Sequence, residues 1–110
     1  MLPVKNRLTK KIDFSNVYRK GTFFLEAPLS LKAVKNNLNN SRIGFSIEKK
    51  FFKKAVERNR IKRLLRETFR QNLKNIEKGF DIVVFYKRSE PNPDFKIILE
   101  LIKKIIKKIK

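Results

Sequence analysis

The stretch KKFFKKAVERNRIKRLLRETFRQNLK, Lys49 to Lys74, carries eleven Lys and Arg against two acids, Glu57 and Glu67. An apolar series runs through the same residues. At about 100° per residue, Ile61, Leu64, Leu65, Thr68 and Phe69 fall within one arc. Asn59, Arg63, Arg66 and Arg70 form a stripe roughly opposite, with Arg58 and Lys62 on the border. The pattern predicts a helix from about Lys54 to Leu73, its apolar arc against a sheet and its other side a row of guanidinium groups in solvent. A planar guanidinium grips a phosphate with two hydrogen bonds and stacks on a base, which an ammonium cannot do. Asn59 adds a donor and an acceptor suited to a base edge or a sugar hydroxyl. A face chosen only for solubility mixes signs; this one does so only at Glu57 and Glu67.

Upstream, Phe14, Val17 and Tyr18 fall at i, i+3 and i+4, which predicts a short helix over Lys11 to Lys20. Thr9 is the expected N-cap and Gly21 the stop. From Gly21 the period changes to two. Pro28 to Val34 reads as a strand with Leu29, Leu31 and Ala33 on one side, and Arg42 to Ile47 as another with Ile43, Phe45 and Ile47 inward. The Asn-rich turn between them predicts an antiparallel pair, and Phe23 to Glu26 reads as a further short strand. Downstream, Asp81 to Tyr86 is a nearly continuous β-branched and aromatic run, as for a strand covered on both faces. After a turn at Ser89 to Asp94, Asn92 is the expected cap of a last helix, with Pro93 at its first position. In that helix Ile98, Leu101, Ile102, Ile105, Ile106 and Ile109 lie opposite Lys103, Lys104, Lys107 and Lys108. The order α-β-β-(β)-α-β-α defines an α+β fold, a small sheet packed by helices, in one domain spanning 1–110.

Lys and Arg total 29 against 10 Asp and Glu, a formal charge of +19. Such a chain repels itself and calls for an anionic partner. Cysteine is absent, which excludes disulfides and thiolate metal sites and fits a reducing cytoplasm. Histidine is absent too, removing the commonest general base near neutral pH. No apolar run is long enough to span a membrane, and the N-terminal residues lack the apolar core of a signal peptide.

Ala55-Val56-Glu57-Arg58-Asn59-Arg60-Ile61-Lys62-Arg63-Leu64-Leu65-Arg66-Glu67 resembles the arginine-rich signature of the bacterial ribonuclease P protein subunit. Leu8-Thr9-Lys10 through Asp13-Phe14-Ser15-Asn16-Val17-Tyr18 to Gly21 resembles the family's N-terminal pattern. Arg42-Ile43-Gly44-Phe45-Ser46 with Lys49-Lys50 resembles its central strand, and Asp81-Ile82-Val83-Val84 its late strand. The blocks come in family order and cover most of the chain. The resemblance implies the small protein of a ribonucleoprotein endonuclease that removes the 5′ leader from precursor tRNA. It implies that catalysis belongs to the RNA subunit, with magnesium acting there and none firmly bound by the protein. It further implies no obligate protein partner, and a left-handed β-α-β crossover where the general rule favours the right-handed form.

In the family, the arginine-rich helix lies on the catalytic RNA. That role carries over to Lys54, Arg58, Asn59, Arg60, Lys62, Arg63, Arg66 and Arg70. A separate cleft between the first helix and the sheet holds the single-stranded leader, and single strands want aromatic platforms beside cations. Phe14, Tyr18, Lys32, Ser46, Lys49 and Lys50 are the corresponding candidates here. Lys32 departs from relatives that carry an aromatic at that place. Phe51 and Phe52 occupy a loop that often holds smaller residues, and Glu48 puts an acid beside the basic loop. The alternative is a ribosomal-type structural RNA-binding protein. A protein-only nuclease is disfavoured, because the ten acids are scattered along the chain. Membrane binding through the last helix is disfavoured because its isoleucine face is needed to cover the sheet.

Overall fold

The computed structural model describes residues 3–76, 79–87 and 94–109. Its elements are α1 (Lys11–Lys20), β1 (Thr22–Glu26), β2 (Leu29–Lys35), β3 (Arg42–Ser46), α2 (Ala55–Asn72), β4 (Phe80–Tyr86) and α3 (Phe95–Ile106). The class is α+β, a four-stranded sheet in the order β1-β2-β4-β3 with helices on both faces.

The β4 run takes the middle of the sheet because it is apolar on both sides. Ile82, Val84 and Tyr86 enter the larger core with Leu29, Leu31, Ile43 and the inner faces of α2 and α3. Val83 points the other way, into a smaller cluster with Leu8 and Val17, and Phe85 packs at its border. α1 therefore lies on one face of the sheet, and α2 and α3 on the other. β1 and β2 form a hairpin, Glu26 opposite Leu29, through a cis Ala27–Pro28 bond.

The expected antiparallel pairing of β2 with β3 is not formed. β2 pairs antiparallel with β4, and β3 pairs parallel with β4, so α2 is the connection of a β-α-β unit. The physical reason lies in the side chains. β2 and β3 carry Ser30, Lys32, Arg42 and Ser46 on alternate positions, whereas β4 offers apolar groups to both layers and gains most from a central place.

Both ends of α1 have local causes. Its N-cap is Lys10 with no side-chain cap, not Thr9. The chain enters instead by strand-like pairing, the Leu8 N–H donating to the Ile43 carbonyl at 3.0 Å with Leu8 buried. Gly21 closes the helix as expected, its N–H donating to the Val17 carbonyl at 2.8 Å. Gly79 enters β4 at φ 89°, a conformation that favours glycine. Asp94, not Asn92, caps α3, its carboxylate accepting from the Ile97 N–H at 3.0 Å. The expected turn at Ser89, Glu90, Pro91, Asn92 and Pro93 lies outside the described residues. The α3 apolar face is core, with Ile98, Ile102 and Ile105 fully buried. Among the described residues, no helix is long and apolar enough to cross a membrane.

Arg42 ties the layers together. It donates to both oxygens of buried Asp81, at 2.8 and 2.6 Å, and pairs with Asp13 of α1 at 3.4 Å. The hydrogen bond to Asp81 holds the Arg42 pKa above its ordinary value. Removing one partner of a buried pair leaves the other charge uncompensated. Arg42→Ala should therefore cost about 3 kcal/mol of unfolding free energy, whereas Arg63→Ala should stay within about 0.5 kcal/mol. Urea denaturation of both variants measures the contrast, and equal small losses would show that the pair is not structural.

Candidate nucleic-acid interface

The basic helix divides as its periodicity predicts. Ile61, Leu65, Thr68 and Phe69 are buried, and Leu64 is half-buried. Asn59, Arg60, Arg63, Arg66 and Arg70 are exposed, while Arg58 and Lys62 sit between. These side chains are not equally available. Arg58 donates to the carbonyls of Phe52 and Lys53, at 2.8 and 3.0 Å, and fastens the preceding loop to the start of α2. Lys54 is the N-cap residue and is exposed. The Arg66 guanidinium stands 6.0 Å from the Phe45 ring centre. Arg70 donates to Glu67 at 3.1 Å from Nε, so the stripe's last cation is partly neutralised.

The hydrogen bonds from Arg70, and secondly from Gln71, hold the Glu67 carboxyl at about 2, below the ordinary glutamate value of 4.5. A lowered folded-state pKa stabilises the fold above the unfolded value, and this contribution is lost as pH falls through about 2. A side-chain carboxyl titration by NMR should give a Glu67 midpoint near 2. A midpoint near 4.5 would mean that the pair is not populated in solution.

The second surface lies on the opposite face of the sheet. α1 covers only part of that face, and beyond it opens a groove of about 420 Å³. Phe23 and Leu25 of β1 line it at 54 and 53 % exposure, with Phe85 of β4 on its floor. Ser30, Lys32, Ser46 and Lys87 supply polar groups, and Glu48, paired with Lys50, adds a carboxylate to the lining. The Tyr18 ring is 6.0 Å from Phe85 and 6.3 Å from Phe14, so the aromatic groups continue from α1 onto the sheet.

Of the expected cleft residues, Lys32 and Ser46 line the groove and Tyr18 stands beside it. Phe14 lies deeper, under α1, where a side chain at Gly44 would collide with its ring. Lys32 donates from Nζ to the Tyr18 carbonyl at 3.1 Å, which fixes the end of α1. Lys50 pairs with Glu48 at 3.4 Å and stands 5.1 Å from the ring centre of Phe51, a groove residue. Lys49 is exposed and does not line the groove. Phe85, Phe23, Leu25, Ser30 and Lys87 escaped the sequence reading. Alternation puts Phe85 on the side away from Ile82 and Val84, but only the tertiary packing, with Ser46 opposite it in the β3–β4 register and Tyr18 of α1 against its ring, brings it beside predicted cleft residues. Among the described residues, no three acidic, His or Cys side chains gather to hold a metal ion.

A guanidinium-bearing helix on one side and a half-open aromatic groove on the other give a small, strongly basic protein of the α+β class two surfaces suited to nucleic acid. The ribonuclease P family model matches residues 2–110. The chain is 37 % identical to a ribonuclease P protein component of Clostridium botulinum over 105 residues, covering 94 % of each. It is 40 % identical to the Pseudanabaena component over 111 residues, covering 100 % of this chain and 96 % of the relative. Among solved structures, the RNase P protein from Thermotoga maritima superposes with a TM-score of 0.86 at 33 % identity, covering 94 % of this chain and 97 % of that one. An RNase P protein structure from Staphylococcus aureus gives 0.82 at 28 % identity, covering 93 % of each. The chain belongs to the ribonuclease P protein family.

Proposed function

We propose that this chain, as one domain, binds the catalytic RNA of ribonuclease P through α2 and the 5′ leader of precursor tRNA in the groove beside α1. The observation that carries the reading is the placement of the α2 stripe and the aromatic groove on opposite faces of one sheet. A protein that only coats a structural RNA has no need of a separate groove suited to unpaired bases.

On the α2 side, Asn59, Arg60, Arg63 and Arg66 offer donors to phosphates and sugars, with Lys54, Lys62 and Arg70 adding field and Arg58 shaping the helix start. On the groove side, bases of an unpaired strand stack on Tyr18 and Phe85, each stacked base contributing about 1–3 kcal/mol. Ser46 and Ser30 present hydroxyl groups, and Lys32, Lys50 and Lys87 meet the phosphates. Lys49 adds charge at the approach. Hydrolysis belongs to the RNA subunit with its magnesium; the residues of this chain bind and orient the substrate. The compartment of this RNA processing is the cytoplasm.

Pull-down from cells followed by RNA sequencing should recover the ribonuclease P RNA, and recovery of ribosomal RNA alone would overturn the reading. Arg63→Ala with Arg66→Ala should weaken binding to the RNA subunit. It should also make the log–log salt dependence shallower by about 0.7–0.9 for each phosphate that the variant no longer neutralises. Tyr18→Ala should reduce affinity for leader-bearing tRNA by about 1–3 kcal/mol while leaving mature tRNA nearly unchanged. Equal losses on both substrates would refute the groove assignment.

A further inference from the structure

The groove does not end at a wall. β1 is an outer strand of the sheet, and α3 packs against it from the other face. Just past the end of α3, Lys108 donates from Nζ to the Leu25 carbonyl at 2.7 Å and pairs with Glu26 at 3.0 Å. The Leu25 side chain belongs to the groove, so Lys108 marks where the groove floor stops and the surface of α3 begins.

The α3 surface is lysine-rich on this flank. With Ile98, Ile102, Ile105 and Ile109 facing the core, the helical step of about 100° puts Lys104 one turn before Lys108, on the flank towards β1. Lys107 lies about 60° further round than Lys104, on the outer side, with exposed Glu100 between them. Both are exposed, and among the described residues neither has a carboxylate partner within an ion-pair distance. The acids near this flank are Glu26, occupied by Lys108, and Glu100, four residues before Lys104. Among the described residues, no aromatic ring makes a cation contact with these lysines, in contrast to Lys50 and Lys87 beside the groove residue Phe51. An ammonium is a point charge without the planar fork that reads shape. The surface suits an unpaired polyanionic backbone and has nothing with which to read its bases.

We propose that Lys104 and Lys107 extend the groove. A leader longer than the groove leaves across the β1 edge at Leu25 and lays its next phosphates along α3. The extension rests on the leader-groove reading above.

The test uses holoenzyme reconstituted with the RNA subunit and precursor tRNAs with leaders of graded length. The protein is wild type or the Lys104→Gln/Lys107→Gln variant, with Lys108 kept because it holds the β1 edge. Wild-type affinity should go on rising beyond the leader length at which the variant levels off. With the longest leaders, the variant's log–log salt slope should be shallower by about 1.4, or about 0.7 for each single-strand phosphate. If wild type and variant level off at the same length, the extension is wrong and the groove reading stands. If the variant instead loses affinity for the RNA subunit equally at every leader length, α3 serves the RNA subunit and the extension is again wrong. If wild type shows no dependence on leader length, the groove reading itself fails and takes the extension with it.

Discussion

Asp81 is a carboxylate at 3 % exposure near the start of the central strand, held by two hydrogen bonds from Arg42 and one from Asn36 at 2.8 Å. A charge so placed is tolerated only when its oxygens are fully engaged. Its partners come from β3 and from the residue after β2, and Arg42 reaches on to Asp13 of α1. Satisfying one carboxylate therefore aligns the start of β3 with the start of β4, keeps the end of β2 on the other side of β4, and docks the first turn of α1. A slip of either strand by one residue would turn Asp81 or Arg42 to the opposite face.

The groove follows from what α1 cannot cover. A helix of ten residues is about 15 Å long, and it is anchored at one end of the sheet by the Asp13–Arg42 pair, by Phe14 over Gly44 and by buried Val17. The other end of that face keeps Phe23 and Leu25 without a helix above them, and Phe85 only partly covered beside Tyr18. Exposed apolar side chains rimmed by polar ones commonly mark binding surfaces. Lys32 meanwhile spends a donor on the carbonyl of Tyr18, so the same residue that lines the groove also fixes the ring at its border.

Charge is distributed to match. The α2 and α3 apolar faces share one core, so their outer sides carry the cations into solvent. With a formal charge of +19 the chain gains by any arrangement that brings an anion between its cations. The acids are used locally. Asp81 and Asp13 hold Arg42, Glu67 holds Arg70, Glu26 holds Lys108, and Glu48 holds Lys50. The Glu67–Arg70 pair trims the α2 stripe at its last turn and leaves Asn59, Arg63 and Arg66 as its most available part.

Local pattern carried the elements. The periodicity of Ile61, Leu65 and Phe69, the alternation of Leu29, Leu31 and Ala33, and the stop at Gly21 each act within a few residues, and the α2 faces could be read because a helix sets its own geometry. The order of motif blocks also made the family legible. The caps were less so, since Leu8 pairs with Ile43 across a long sequence separation and makes a side-chain cap at Thr9 unnecessary. Strand pairing was illegible from local pattern for the same reason, although the family resemblance implied a β-α-β crossover, which β3, α2 and β4 form. Whether β3 lies beside β2 or β4 depends on which strand can fill both layers and on where Asp81 finds its guanidinium. The groove inherited that uncertainty, for Phe85 becomes a neighbour of Ser46 only through the parallel register. The sequence by itself determined the class of the fold, the helix faces and the demand for an anionic partner, because these follow from local periodicity and net charge. Only the tertiary structure decided the strand order and the floor of the groove, because both depend on contacts between residues far apart in the chain.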